Sequence, residues 1–216
     1  MLGTLRHLLK DFWSDCRKYW LACLLVLLAL ALGSIALFPN DAQFLAKVRL
    51  PEDSVWHRLA GDISYWGDFP TGIVLFGIAL WTLGWILKKV RWQRLALGCV
   101  LAAAIAGIFV NCFRLTLGRP RPSAGIADGF YGIRKSPDFH GFPSGHAATA
   151  YGWAGAIAVA HPPLAAPILL AATTVPWARM QLNRHYPSDV IVGGGIGLMA
   201  GVLMGLALRR QSLSSS

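Results

Sequence analysis

Acidic residues are scarce in this chain. Ten Asp and Glu stand against twenty Lys and Arg, and the four types together make up only 14% of 216 residues. That excludes an ordinary water-facing surface for most of the chain, because a soluble domain of this length carries more charge. Cysteine is sparse as well. Cys16, Cys23, Cys99 and Cys112 show no CxxC spacing and mostly fall in or beside apolar runs, which excludes a disulfide framework and a thiolate metal site. The formal net charge of +10 sits in short clusters between apolar runs rather than in a basic domain. Lipid head groups suit that pattern, and nucleic acid is not an expected partner.

Apolar residues fill the space, at 55% of the chain. A helix needs about 20 apolar residues to span a bilayer. Runs 20–38, 69–87 and 95–113 meet this, and 147–160, 164–182 and 189–208 are shorter or broken. The "HPP" at 161–163 is a helix stop and a tight turn. The expected fold is therefore an all-α integral membrane protein, six transmembrane helices in one bundle, forming a single domain over 1–216 with a disordered tail at 209–216. The first run is too long for a signal-peptide core and reads as a retained helix. Segment 53–64, "DSVWHRLAGDIS", carries Val55, Trp56, Leu59, Ala60 and Ile63 at helical spacing, a short interfacial helix. In the last run, "GGGIGLMAGVLMG" places glycines where helices approach closely in lipid.

Cations set the orientation. Arg6, Lys10, Arg17 and Lys18, then Lys88, Lys89, Arg91 and Arg94, then Arg209 and Arg210 share one side of a six-helix topology, which should be cytoplasmic along with both termini. Arg114, Arg119, Arg121, Arg179 and Arg184 fall on the other side, against that tendency. A bound anion would explain them.

Three segments on this outer side carry candidate chemistry. Arg114, Arg119 and Arg121 follow the third run, and Arg is suited to forked bonds with phosphate oxygens. Snorkelling to head groups would account for them equally well. In Pro143-Ser144-Gly145-His146, Ser144 can cap the next helix, leaving the Gly145 and His146 amides as an anion site at its N-terminus. The third segment holds Arg179, His185 and, four positions on, Asp189; a carboxylate one turn from an imidazole can fix its tautomer and sharpen its other nitrogen. A metal site would need several carboxylates or histidines converging, and this set has one carboxylate. No metal and no cofactor are expected. His7, His57 and His161 lack a partner pattern, and His140 stays undecided.

Taken together, these segments resemble the three-part signature of the type 2 phosphatidic acid phosphatase superfamily, in its membrane-bound bacterial branch. They match as Arg114-x6-Arg121-Pro122, Pro143-Ser144-Gly145-His146, and Ala178-Arg179-x5-His185-x3-Asp189. Arg114 replaces the usual Lys and Ala178 the usual Ser, which bears on fine specificity more than on the reaction. The resemblance implies metal-free hydrolysis of a lipid phosphate through a phosphohistidine. His185 attacks phosphorus, oriented by Asp189; Arg114, Arg121, Arg179, Ser144 and Gly145 hold the oxygens; His146 protonates the leaving group and then helps activate water. His185 must be neutral and His146 charged. The substrates implied are phosphatidylglycerol phosphate, an isoprenyl diphosphate such as undecaprenyl diphosphate, or lipid A phosphate, met at the periplasmic face of a bacterial inner membrane. A lipid-to-lipid phosphotransferase on the same scaffold is the alternative, and a non-enzymatic protein that keeps an anion site is a further one.

Overall fold

The computed structural model describes residues 2–213, and among them every regular element is helical. In chain order these are α1 (Leu2–Lys18), α2 (Trp20–Leu37), α3 (Asp41–Val48), α4 (Val55–Trp66), α5 (Val74–Ile86), α6 (Val90–Leu117), α7 (Gly145–Ala160), α8 (Ala165–Gln181) and α9 (Pro187–Leu213). Each of the six apolar runs folds as helix. Among the described residues, four stretches are long and apolar enough to cross a membrane: Trp20–Val48, Phe69–Ile86, Val90–Ala124 and Pro187–Ser212. Helices α7 and α8 have only 16 and 17 residues. Much of α7 is enclosed by its neighbours. By contrast α2 buries none of its residues and presents leucines all round, as a lipid-facing helix does.

Three boundaries differ from the sequence reading. The second run opens with a wide turn, Phe69–Ile73, before α5 begins. The third helix is longer at both ends than 95–113. The tail is not disordered from residue 209: α9 continues to Leu213, because Arg210 grips Asp15 of α1 through two nitrogens and Gln211 reaches Asp11 at 3.0 Å. The rest of the proposed tail, 214–216, lies outside the described residues. The basic N-terminal segment, read for its charge alone, is helix α1. Its Leu8 and Phe12 pack against Leu95, Leu203, Met204 and Leu208.

The centre of the bundle is the α7–α9 pair, and glycine makes it possible. A Cβ on Gly193 would fall 2.3 Å from the Ser144 carbonyl oxygen, and on Gly197 2.2 Å from that of Ala148. These and Gly201 recur every four residues on the face of α9 turned toward α7, so the backbones touch. The consequence reaches beyond packing, since Gly193 seats Ser144. Gly197→Val should therefore lower stability by about 1–3 kcal/mol or more through forced separation of the pair. Gly33→Val on α2, where a Cβ meets nothing within 4 Å, is the control and should leave thermal unfolding in detergent nearly unchanged. Equal effects of the two would contradict the close approach.

A cleft of about 770 Å³ lies among Lys88, Arg91, Arg94 and Arg209, and no residue of the three-segment signature lines it.

Candidate active site

The three segments meet at one end of the bundle. Gly118 ends α6 in a left-handed conformation (φ +61°), which turns the chain so that Arg119 and Arg121 leave the helix axis. A side chain there would collide with the Gly132 carbonyl. Backbone bonds then hold the segments together: Arg121 N donates to Asp138 O (2.7 Å), Gly141 N to Arg119 O (2.9 Å), and Ser144 N to Asp189 O (2.9 Å).

Ser144 is the N-cap of α7, as its place before an apolar run suggested. Its buried hydroxyl accepts from Ala147 N at 3.4 Å. Behind Gly145 lies the guanidinium of Arg114. A Cβ on Gly145 would sit 2.8 Å from Arg114 Nη1, so the glycine lets the charge come down onto the start of the helix. Arg114 is itself held by the His140 carbonyl (3.3 Å) and by Asn111 Oδ1 (3.1 Å). From α8, Arg179 Nη1 donates to the buried Ser64 hydroxyl of α4 at 2.7 Å. Arg121 Nε and Arg179 Nε are buried and have no protein acceptor. Buried donors are nearly always paired, so two unpaired ones in a cluster of like charges mark a place for an anion.

His185 lies between α8 and α9, 1% exposed. Burial first, then the charges of Arg179 and Arg114, hold its imidazole well below the ordinary histidine range. The ring is neutral, and its tautomer follows from its neighbour. Nδ1 stands 2.7 Å from the Gly141 carbonyl oxygen, which can only accept, so Nδ1 carries the proton and the Nε2 lone pair is free. The expected Asp189 partner is farther, with Oδ2 3.5 Å from the same nitrogen. The reason is that Asp189 is engaged elsewhere. Its Oδ2 accepts from Tyr186 N (2.7 Å), closing the first turn of α9, and its Oδ1 accepts from Arg119 Nη1 (2.6 Å).

Arg119, grouped in the sequence with Arg114 and Arg121 as suited to phosphate, serves carboxylates of the chain instead. It is wholly buried, and all five of its N–H groups are used. Nε and Nη2 fork onto Asp128 (2.9 and 2.6 Å), Nη2 also reaches Asp41 (2.8 Å), and Nη1 serves Asp189 (2.6 Å) and Ser188 Oγ (2.7 Å). The rings of Phe38 and Tyr186 cover its centre at 4.2 and 4.4 Å. Three carboxylates converge here, and a guanidinium fills the middle. The doubled arginine of "GRPRP" was the visible signal. Nothing in the sequence marked Asp41 or Asp128 as its partners.

Asp68 was also missed. It caps the wide turn before α5, and its Oδ1 lies 3.5 Å from His146 Nε2. Beside this pair a cleft of about 310 Å³ runs between the turn, α6 and α7. Arg114, Gly145 and His146 line its polar end, and Phe69, Ala104 and Ile108 its apolar length.

A charged, anion-seeking cage at the end of an apolar helical bundle suits an enzyme that handles a phosphate ester in a lipid setting. Known proteins agree on that class. Residues 95–212 match the PAP2 superfamily, and the chain belongs to it. It is similar to the lipid A 1-phosphatase of Rhizobium johnstonii, 32% identical across 90% of this chain and 83% of that protein. A second lipid A 1-phosphatase, from Rhizobium etli, is 28% identical over 90% of this chain and 87% of its own length. Among solved structures, the Bacillus subtilis transmembrane PAP2 type phosphatidylglycerolphosphate phosphatase shares the fold with a TM-score of 0.63. That pair is 16% identical and covers 89% of this chain and 96% of the other. Aquifex aeolicus LpxE aligns with a TM-score of 0.57 at 21% identity, over 76% of this chain and 93% of its own. The chain is thus a membrane-embedded phosphoric-ester hydrolase that acts on lipid.

Proposed function

We propose that the protein removes the 1-phosphate of lipid A by metal-independent hydrolysis through a phosphohistidine on His185. The observation that carries the chemistry is the neutral, buried His185 beside three guanidiniums, two of which keep an unpaired buried Nε. The near full-length similarity to lipid A 1-phosphatases supports the choice of lipid, and the cleft, polar at one end and apolar along its length, suits a phosphate carried on a hydrophobic body.

Phosphoryl transfer needs little covalent help from a protein beyond positioning and charge stabilisation. Arg114, Arg121 and Arg179, with the Gly145 amide and the Ser144 hydroxyl, grip the phosphoryl oxygens. His185 Nε2 attacks phosphorus as the bond to the lipid oxygen breaks, and His146 gives that oxygen its proton. The imidazolium left at His185 keeps its Nδ1 proton on the Gly141 carbonyl and faces the charge of Asp189. Water then attacks phosphorus, His146 takes the water's proton, the P–N bond breaks, and phosphate leaves with both histidines restored.

The six apolar helices α2 and α5–α9 span the bilayer in this reading. The site opens at the periplasmic face of a bacterial inner membrane, and both termini are cytoplasmic. Phosphate release by the purified protein tests the function, across lipid A, phosphatidylglycerol phosphate and undecaprenyl diphosphate. Lipid A should be dephosphorylated fastest, with activity unchanged in excess chelator. Loss restored by a divalent ion would reject the metal-free route. A preference for another lipid would reject the substrate, and transfer of labelled phosphate to an added lipid alcohol instead of water would make the enzyme a phosphotransferase.

A further inference from the structure

Proton donation from His146 faces an electrostatic obstacle. Arg114 of α6, Arg121 of the segment after it and Arg179 of α8 all act on this imidazole, and His185 lies close enough to interact with it. A protonated His146 would add a further positive charge to that group. A bound phosphate neutralises part of it, but those guanidiniums are then engaged with the oxygens. One group of opposite sign faces His146 from the remaining side: the Asp68 carboxylate, 3.5 Å from Nε2.

Asp68 is fixed in place. Its main-chain oxygen accepts from Gly72 N (2.9 Å) and Ile73 N (3.1 Å), the bonds that form the wide turn. Thr71 Oγ1 lies 3.2 Å from its Oδ2, leaving Oδ1 for His146. The end of α4 just before Asp68 is pressed against α8, because a Cβ at Gly67 would stand 2.7 Å from Val175 Cγ1. Turns of this wide type recur at functional sites. Asp68 belongs to none of the three signature segments, and its neighbours Phe69 and Pro70 line the same cleft as His146.

We infer that Asp68 is a positioning residue that holds the His146 ring and stabilises its charged form, so that His146 can protonate the leaving lipid oxygen. The inference rests on the proposed role of His146 as the acid. It makes Asp68 important only where the leaving group needs a proton. A lipid alkoxide or sugar oxygen does; p-nitrophenolate does not.

The test compares first-turnover rates of leaving-group release from a lipid phosphate and from p-nitrophenyl phosphate. Asp68→Asn, nearly isosteric, should slow the lipid reaction about a hundredfold, the lower range of general acid catalysis. It should leave the p-nitrophenyl burst within about threefold, and the burst itself reports an intact fold. Asp68→Glu should recover part of the lipid rate. His146→Ala separates the two ideas. If His146→Ala shows the leaving-group dependence and Asp68→Asn slows both substrates equally, or neither, the role of Asp68 is overturned and that of His146 survives. If His146→Ala slows both substrates equally, the acid assignment fails and the inference falls with it.

Discussion

His185→Ala is expected to abolish turnover and, with it, any acid-labile phospho-enzyme trapped from labelled substrate. Loss of a nucleophile in a cooperating set costs on the order of 10⁴–10⁶ in rate. The ground for a large effect lies in the surroundings of the residue. The ring is 1% exposed and neutral, and its Nδ1 proton is committed to the Gly141 carbonyl at 2.7 Å. Nε2 is therefore the nitrogen left to attack. His185→Gln keeps a polar group of similar reach but no comparable nucleophile, so it should bind vanadate or phosphate while forming no covalent intermediate. Substantial turnover by either variant would remove His185 from the chemistry. The Gly141 contact adds a finer expectation. Asp189→Asn should slow attack less than an Asp that owns the histidine proton would, because a backbone carbonyl that mutation cannot delete is the nearer acceptor.

That contrast marks where the sequence could be read and where it could not. Spacing within a segment was informative. Ser144 caps α7, Gly193 and Gly197 bring α9 against α7, and the runs of apolar residues became helices, because each depends on neighbours a few positions apart. The three signature segments were legible for the same reason. What escaped were pairings across long separations. Asp41 and Arg119 lie 78 positions apart, and the carbonyl that fixes His185 lies 44 positions before it. A main-chain oxygen leaves no trace in residue type, so the Gly141 contact had no signal at all. Asp189 and His185 illustrate the limit well: the four-residue spacing placed them together, but not which of several donors each carboxylate oxygen would take. Helix α1 was legible but passed over: Leu2, Leu5, Leu8, Leu9, Phe12 and Trp13 recur at helical spacing, while the segment was read for its charge alone.

The second large effect is structural and concerns Arg119. Arg119→Met keeps much of the side chain's volume and removes its charge and all five N–H donors. Asp41 and Asp189, both fully buried, would then face each other and Asp128 with no cation between them. Breaking a buried ion pair from one side typically costs about 3–5 kcal/mol, since the partner is left charged and unpaired. Here one cation serves three carboxylates, so the loss should reach that range or exceed it, read as a lowered unfolding midpoint in detergent. Arg119→Lys tests geometry apart from charge. An ammonium is a compact point charge and cannot fork onto Asp128 while also reaching Asp41, Ser188 and Asp189. Lys should therefore recover only part of the stability. Removing a carboxylate as well distinguishes repulsion from lost packing: Asp41→Asn in the Arg119→Met background should be milder than the sum of the two changes. If the single Arg119→Met variant unfolds at the wild-type midpoint, the guanidinium is not what holds α3, the 119–128 segment and the start of α9 together. The same replacement should also reach the chemistry, because Asp189 Oδ1 would lose its 2.6 Å donor and the carboxylate facing His185 would be free to turn. Phospho-enzyme formation should then fall at temperatures where the variant is still folded, which separates the loss of position from the loss of fold.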